Sequence, residues 1–289
     1  MTLMKMHGLA PMTDGARIRW AVLGDTARRP PVVMLHGGPG LPDYLGDVAP
    51  MIADLAPVYR YDQRGTRGSP WQGRHTFSRH VDDLAELLDH WGAAKAVLIG
   101  HSYGADLASR FCLAHSDRVA AMLLMCGPFV GGWRTQDQAE RHRRMSAAQR
   151  ERLRVLEQMP ERTQDEEVEL LTLSWFTDHA EPERGWHWAE QGARQRRPVN
   201  WAMNSELGKE RHADPLDEHL DELRACLPAQ VELLGGACDP RPLSALVSLA
   251  LRLGAPLRRI DNAGHEPWLE QPDAVREHLR RFVQGTVVP

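Results

Sequence analysis

Three residues able to carry out nucleophilic catalysis stand in one order along the chain: Ser102, Asp239 and His265. Ser102 lies in Gly100-His101-Ser102-Tyr103-Gly104, between an apolar run at 96–99 and a helical pattern opening near Ala105. A serine hydroxyl is a poor nucleophile near neutral pH, so it needs a general base that a carboxylate orients. Asp239 follows the apolar run 231–234, and His265 follows Leu257–Ile260. Taken singly, each has an ordinary reading as a strand-to-helix turn, a turn aspartate and one histidine among 14, and Asp261 is a rival acid only four residues from His265. Their conjunction, three residue types after three strands, predicts a Ser102–Asp239–His265 triad for acyl transfer to water. A fourth segment, His36-Gly37-Gly38-Pro39-Gly40, supplies the means to hold an oxyanion. Its glycines let the backbone come close to a ligand, so the expected donors are the amides of Tyr103 and of Gly37 or Gly38. His36 itself reads as support for that loop.

Such residues must be presented by strands that end together. Apolar runs at 18–23, Val32–Leu35, Val58–Tyr61, 97–99, 120–125, 231–234 and Leu257–Ile260 are bounded by Gly or Pro or separated by amphipathic stretches. The clearest of these stretches are 81–91, 105–115 and Leu243–Leu253. Continuous apolar strands alternating with helices predict an α/β fold with a mostly parallel sheet covered on both faces. The glycines beside Ser102 fit a sharp, strained strand-to-helix turn that exposes the hydroxyl next to unpaired helix N–H groups. The segment 133–228 differs: it is helical in propensity and has no strand pattern. It carries 20 acidic and 15 basic residues, while the remainder is nearly neutral. It is therefore expected to be a helical cap inserted into a core formed by 1–132 and 229–289.

Composition narrows the classes further. With 35 basic against 39 acidic residues the formal net charge is −4, which excludes a binder working through a strongly basic surface, so no nucleic-acid partner is expected. No run approaches the roughly 18–20 apolar residues of a membrane span. The N-terminus does not read as a signal peptide, and the four cysteines form no Cys-x-x-Cys pair. A cytoplasmic location with reduced thiols is the expectation. The oligomeric state is not legible. Nine tryptophans outnumber five phenylalanines and four tyrosines, and five of them, Trp133, Trp175, Trp186, Trp188 and Trp201, fall in the inserted segment.

Together with Tyr61-Asp62-Gln63-Arg64-Gly65, the runs at 36–40, 100–104 and 264–265 resemble the prolyl aminopeptidase (proline iminopeptidase) branch of the α/β-hydrolase superfamily. The similarity covers about 31–132 and 231–272. It implies the triad roles for Ser102, Asp239 and His265, an architectural role for Asp62 and Arg64, and no cofactor or metal. Two positions depart from the family pattern. Tyr103 stands where Trp is usual, and Asn200 stands where a cap glutamate holding the substrate's amino group is expected. Glu206, Asp178, Glu181 or Glu183 could supply that charge instead, with Trp201 and Trp175 as aromatic walls. The expected function is hydrolysis of a small aminoacyl amide or ester. A carboxylesterase or lactonase is the alternative, and a non-catalytic ligand receptor on the same fold stands behind both. Dehalogenases and epoxide hydrolases of this superfamily place Asp at the nucleophile, so Ser102 argues against both.

Overall fold

The computed structural model describes residues 5–27 and 30–286. Eight strands form one sheet: β1 (Lys5–Pro11), β2 (Arg17–Leu23), β3 (Val32–Leu35), β4 (Val58–Tyr61), β5 (Ala96–His101), β6 (Val119–Met125), β7 (Val231–Gly236) and β8 (Leu257–Ile260). Their spatial order is β1-β2-β4-β3-β5-β6-β7-β8. The first two strands join antiparallel, β2 to β1 and to β4, and all later pairings are parallel. β1 is not announced by its sequence: it mixes polar and apolar residues, and Gly8 lies under the Trp20 ring, where a Cβ would come within 2.8 Å.

Eleven α-helices are described. They are α1 (Phe77–His90), α2 (Tyr103–Ala114), α3 (Arg134–Arg144), α4 (Ala147–Gln158), α5 (Gln164–Trp175), α6 (Pro182–Gln195), α7 (Trp201–Ala213), α8 (Leu220–Cys226), α9 (Leu243–Leu253), α10 (Pro267–Glu270) and α11 (Pro272–Thr286). None is long and apolar enough to cross a membrane. α1 begins four residues before its apolar stripe, because Thr76 accepts a hydrogen bond from the Arg79 amide and caps the helix there.

The pleat of the central strands builds the core on two faces. Val33, Leu35, Leu98, Met122 and Leu124 face Leu84, Leu87 and Leu88 of α1 and Leu107 and Phe111 of α2. Val32, Met34, Val97, Ile99, Leu123 and Met125 face Ile52 and, from α11, Leu279 and Phe282. Burying one such side chain contributes roughly 1.5–3 kcal/mol, so these strands hold their ends firmly.

Helices α3 to α8 lie between β6 and β7. They divide in two. Met203 and Leu207 of α7 and Leu220 and Leu223 of α8 join the core of the sheet's α1–α2 face. Residues of α4 to α6, including Leu156, Leu170, Leu173 and Ala189, gather with Met145 and Phe176 into a small cluster of their own.

Candidate active site

The carboxyl ends of the parallel strands converge on one edge of the sheet, where open α/β folds bind ligands. β3 ends at the glycine loop 36–40, β5 at Ser102, β6 at Cys126-Gly127, β7 before Asp239 and β8 before His265. Ser102 has φ 56° and ψ −116°, a sparsely populated conformation for a side-chain-bearing residue that costs on the order of 1–3 kcal/mol. Its surroundings leave no alternative. A Cβ on Gly100 would sit 2.3 Å from the Gly104 carbonyl oxygen, and one on Gly104 would sit 2.0 Å from that of Leu35. The Ser102 amide donates to the Met125 carbonyl at 2.9 Å, and α2 starts at the next residue.

His265 and Asp239 are joined: Nδ1 of His265 lies 2.7 Å from Oδ2 of Asp239. The other oxygen, Oδ1, accepts from the Arg241 amide at 3.0 Å and from its guanidinium at 3.1 Å. Burial favours a protonated Asp239, but the neighbouring His265 and Arg241 outweigh it and hold the carboxyl below its ordinary range. Ser102 Oγ makes no hydrogen bond among the described residues. The turn carrying Ser102 nevertheless contacts the histidine loop. The ring of His101 is 4.8 Å from that of His265, and its Nε2 lies 2.8 Å from the His265 carbonyl oxygen.

Of the two glycines expected as alternative donors in the loop, one is occupied. The Gly37 amide is spent on the Tyr44 hydroxyl at 2.8 Å. The amides of Gly38, at φ 132°, and Tyr103 have no partner among the described residues. His36 braces the loop, with Nδ1 on the Gly37 carbonyl and Nε2 accepting from the Gln63 amide. Asp62 ties loops together by accepting from the Asp43 and Gly68 amides and from Arg19. Arg64 is wholly buried and makes a two-point bond with Asp83.

Residues expected to bind substrate are mostly occupied elsewhere. Asn200 caps α7 through the Met203 amide, and its backbone N–H and side-chain amide donate to the carbonyls of Gly40 and Gly65. Glu206 accepts from the His75 amide. Trp201 is 44% exposed and donates its indole N–H to Glu167. Asp178 is bound by Arg141 at 2.6 Å and Arg241 at 3.0 Å, while Glu181 and Glu183 are exposed. Trp175 lines a cavity of about 740 Å³ inside the helical insertion, which meets the triad only through Asp178 and Arg241. Nearer the site, Phe129 lies 6.3 Å ring to ring from His265 and continues to Trp133 at 5.4 Å.

Other residues around the triad carry no family-level signal in the sequence. Asp178 accepts the His265 amide on its backbone carbonyl at 2.7 Å. Arg196 makes a two-point bond with Glu266, the residue after His265, and lies 4.2 Å from the centre of the Tyr44 ring. Arg241 and Glu266 could have been suspected from adjacency to Asp239 and His265; nothing in the sequence marks Tyr44. His101, Cys126 and His265 offer potential metal ligands within 4.8 Å of one another. Both His101 nitrogens and His265 Nδ1 are already hydrogen-bonded, so this grouping reads as packing around the triad.

Comparison with known proteins agrees with this architecture. The profile described as "Alpha/beta hydrolase family" matches residues 32–278. Epoxide hydrolase A of Mycobacterium tuberculosis is 36% identical over 120 residues, 40% of this chain and 37% of that protein. Proline iminopeptidase of Heyndrickxia coagulans is 29% identical over 123 residues, 42% of each chain. The matches thus span about two fifths of these relatives. Among solved structures, a 2-hydroxy-6-oxo-6-phenylhexa-2,4-dienoate hydrolase from Rhodococcus superposes with a TM-score of 0.72 at 20% identity, covering 98% of this chain and 100% of that one.

Proposed function

The chain belongs to the alpha/beta hydrolase family, and from that premise we propose that it is a serine hydrolase acting on a small, compact ester. The observation that carries this reading is the 2.7 Å Asp239–His265 bond beside a serine held in a strained turn. In this mechanism Nε2 of His265 takes the Ser102 proton as Oγ attacks the carbonyl carbon. Asp239 keeps the imidazole in the tautomer with hydrogen on Nδ1 and stabilises the imidazolium that forms. The amides of Gly38 and Tyr103, unpartnered among the described residues, are the oxyanion donors, with Gly38 rather than Gly37 filling the loop's part. His265 then gives its proton to the departing alcohol. A water attacks the acyl-enzyme by the same route and frees the acid. These steps call on side chains, backbone amides and water alone.

An ester is favoured over an aminoacyl amide because two of the carboxylates expected to meet a substrate ammonium, Asp178 and Glu206, are taken. Asp178 faces two arginines and Glu206 a backbone amide, and Asn200 is neutral. Phe129 and Trp133 offer an apolar flank near His265 instead. The epoxide hydrolase relatives do not redirect this reading, since Ser102 holds the nucleophile position. The aminopeptidase reading keeps the support of the His-Gly-Gly-Pro-Gly and Asp-Gln-Arg-Gly runs. A fluorophosphonate probe should label Ser102, and p-nitrophenyl acetate and butyrate should be cleaved. Ser102→Ala should lower that cleavage at least about 10³-fold. No labelling of folded protein would overturn the hydrolase reading. Faster cleavage of proline β-naphthylamide than of the esters would move it to aminoacyl substrates.

A further inference from the structure

Tyr44 stands between the two halves of the site without belonging to either. Its hydroxyl accepts the Gly37 amide at 2.8 Å and lies 2.7 Å from Nδ1 of His101. The hydrogens on this path can be assigned. The His265 carbonyl can only accept, so His101 Nε2, 2.8 Å away, carries a hydrogen. His101 is neutral, because burial pushes its imidazole down to about 3, with the neighbouring His265 adding to the effect. Its Nδ1 is therefore bare and accepts from the Tyr44 hydroxyl. Every donor then points one way, from Gly37 N–H to Tyr44 O–H, to His101 Nε2–H, to the His265 carbonyl.

The ring of Tyr44 is fixed as firmly as its hydroxyl. Trp268 stacks on it with centroids 6.4 Å apart and planes 19° apart, and the Arg196 guanidinium lies 4.2 Å from its centre. Arg196 is itself pinned by Glu266. A Cβ on Gly37 would meet the Tyr44 hydroxyl at 2.4 Å and the Ser102 Cβ at 3.0 Å, so the bonded loop lies directly against the nucleophile.

We infer that Tyr44 is a positioning residue for the reaction, its hydroxyl setting the oxyanion loop against the His265 loop through His101. The inference rests on the serine-hydrolase reading. Holding the Gly37 amide on Tyr44 fixes the peptide that follows, and so aims the Gly38 amide at the place where the oxyanion forms. Removing the hydroxyl leaves Gly37 N–H without its acceptor and His101 Nδ1 without its donor. The loss should be felt when negative charge develops on the carbonyl oxygen, and hardly when substrate binds.

Tyr44→Phe tests this. Active sites are first counted by fluorophosphonate titration, and rates are expressed per labelled Ser102. The expected result with p-nitrophenyl acetate is a kcat lowered about 10- to 100-fold with KM changed less than about threefold. Affinity for an aliphatic trifluoromethyl ketone, which becomes a tetrahedral oxyanion on the serine, should weaken by the same factor as kcat/KM. A second variant carries 3,5-difluorotyrosine at position 44, which retains the shape while making the oxygen a poorer acceptor for Gly37. It should weaken ketone affinity at least about threefold. Ketone affinity and kcat within twofold of the parent in both variants, or a change confined to KM, would overturn the inference. Absence of Ser102 labelling in the parent protein would sink the hydrolase reading itself, and is seen before either variant is made.

Discussion

The sheet edge and the helical insertion are held by different forces. Strands β3, β5 and β6 are buried on both faces, and the residues at their ends inherit positions set by apolar packing and ladder hydrogen bonds. Helices α4 to α6 share two small apolar clusters, and with α3 they reach the site through charged and polar contacts. Arg144 donates to the carbonyls of Thr177, His179 and Cys238. Glu270 accepts the amides of both Ala180 and Gly264. Asp178, Arg196 and Asn200 fasten onto the His265 loop, Glu266 and the glycine loop in turn. A Cβ on Gly264 would lie 1.9 Å from the Asp178 carbonyl oxygen, so the insertion touches the histidine loop backbone to backbone. The difference teaches that these helices are more than a roof: they complete the walls that hold Asp239 and His265.

Breaking the strongest of those fastenings should give the largest effect. Asp178 is buried between Arg141 and Arg241, and Arg241 also holds Asp239. Asp178→Asn keeps the shape and removes the charge, leaving two partly buried guanidinium groups each short of one partner. Urea unfolding should show a loss of about 3 kcal/mol, as for other broken buried pairs. Fluorophosphonate labelling of Ser102 should slow in step, because Arg241, deprived of its charged partner, also holds Asp239. Loss of stability with labelling unchanged would mean that the insertion is an independent lid.

The pair Arg196–Glu266 allows a gentler test through pH. Burial alone would raise the Glu266 carboxyl, but Arg196 outweighs it and brings it from 4.5 down to about 2. A carboxyl depressed in the folded state contributes its stability above its unfolded value and loses it as pH falls towards the folded one. The window therefore runs from about 4.5 down to about 2. Between pH 5 and 3.5 the parent should lose on the order of 1 kcal/mol that Glu266→Gln does not lose. Equal slopes for the two proteins in urea titrations across that range would show that the pair adds nothing to the attachment.

The same contrast explains what was legible in the sequence. Strands β3, β4 and β8 lie where the apolar runs put them, and Ser102, Asp239 and His265 are brought to one edge because each ends such a run or the loop after it. Periodicity reports packing against a sheet, so it works where packing decides. It says little about β1, half polar at the sheet edge, or about Tyr44, whose role depends on meeting Gly37 and His101 in space. Arginine contacts in the insertion are long-range and leave no spacing to read. Arg144 reaches Cys238 across 94 residues, and Arg196 reaches Glu266 across 70.

The smallest expected effect bears on the tryptophans that mark the insertion. Composition suggests an aromatic lining over Ser102, yet Trp201 is 44% exposed and its indole N–H serves Glu167 on α5. Its ring also lies 5.9 Å from the Arg162 guanidinium. These are surface contacts between α7 and the start of α5, each worth a few tenths of a kcal/mol at exposed positions. Trp201→Ala should therefore change stability by about 0.5 kcal/mol or less and leave KM for p-nitrophenyl butyrate within twofold. A several-fold rise in KM would mean that α7 turns this ring inward over substrate. The insertion would then behave as a mobile cover after all, held by its polar contacts only while the site is empty.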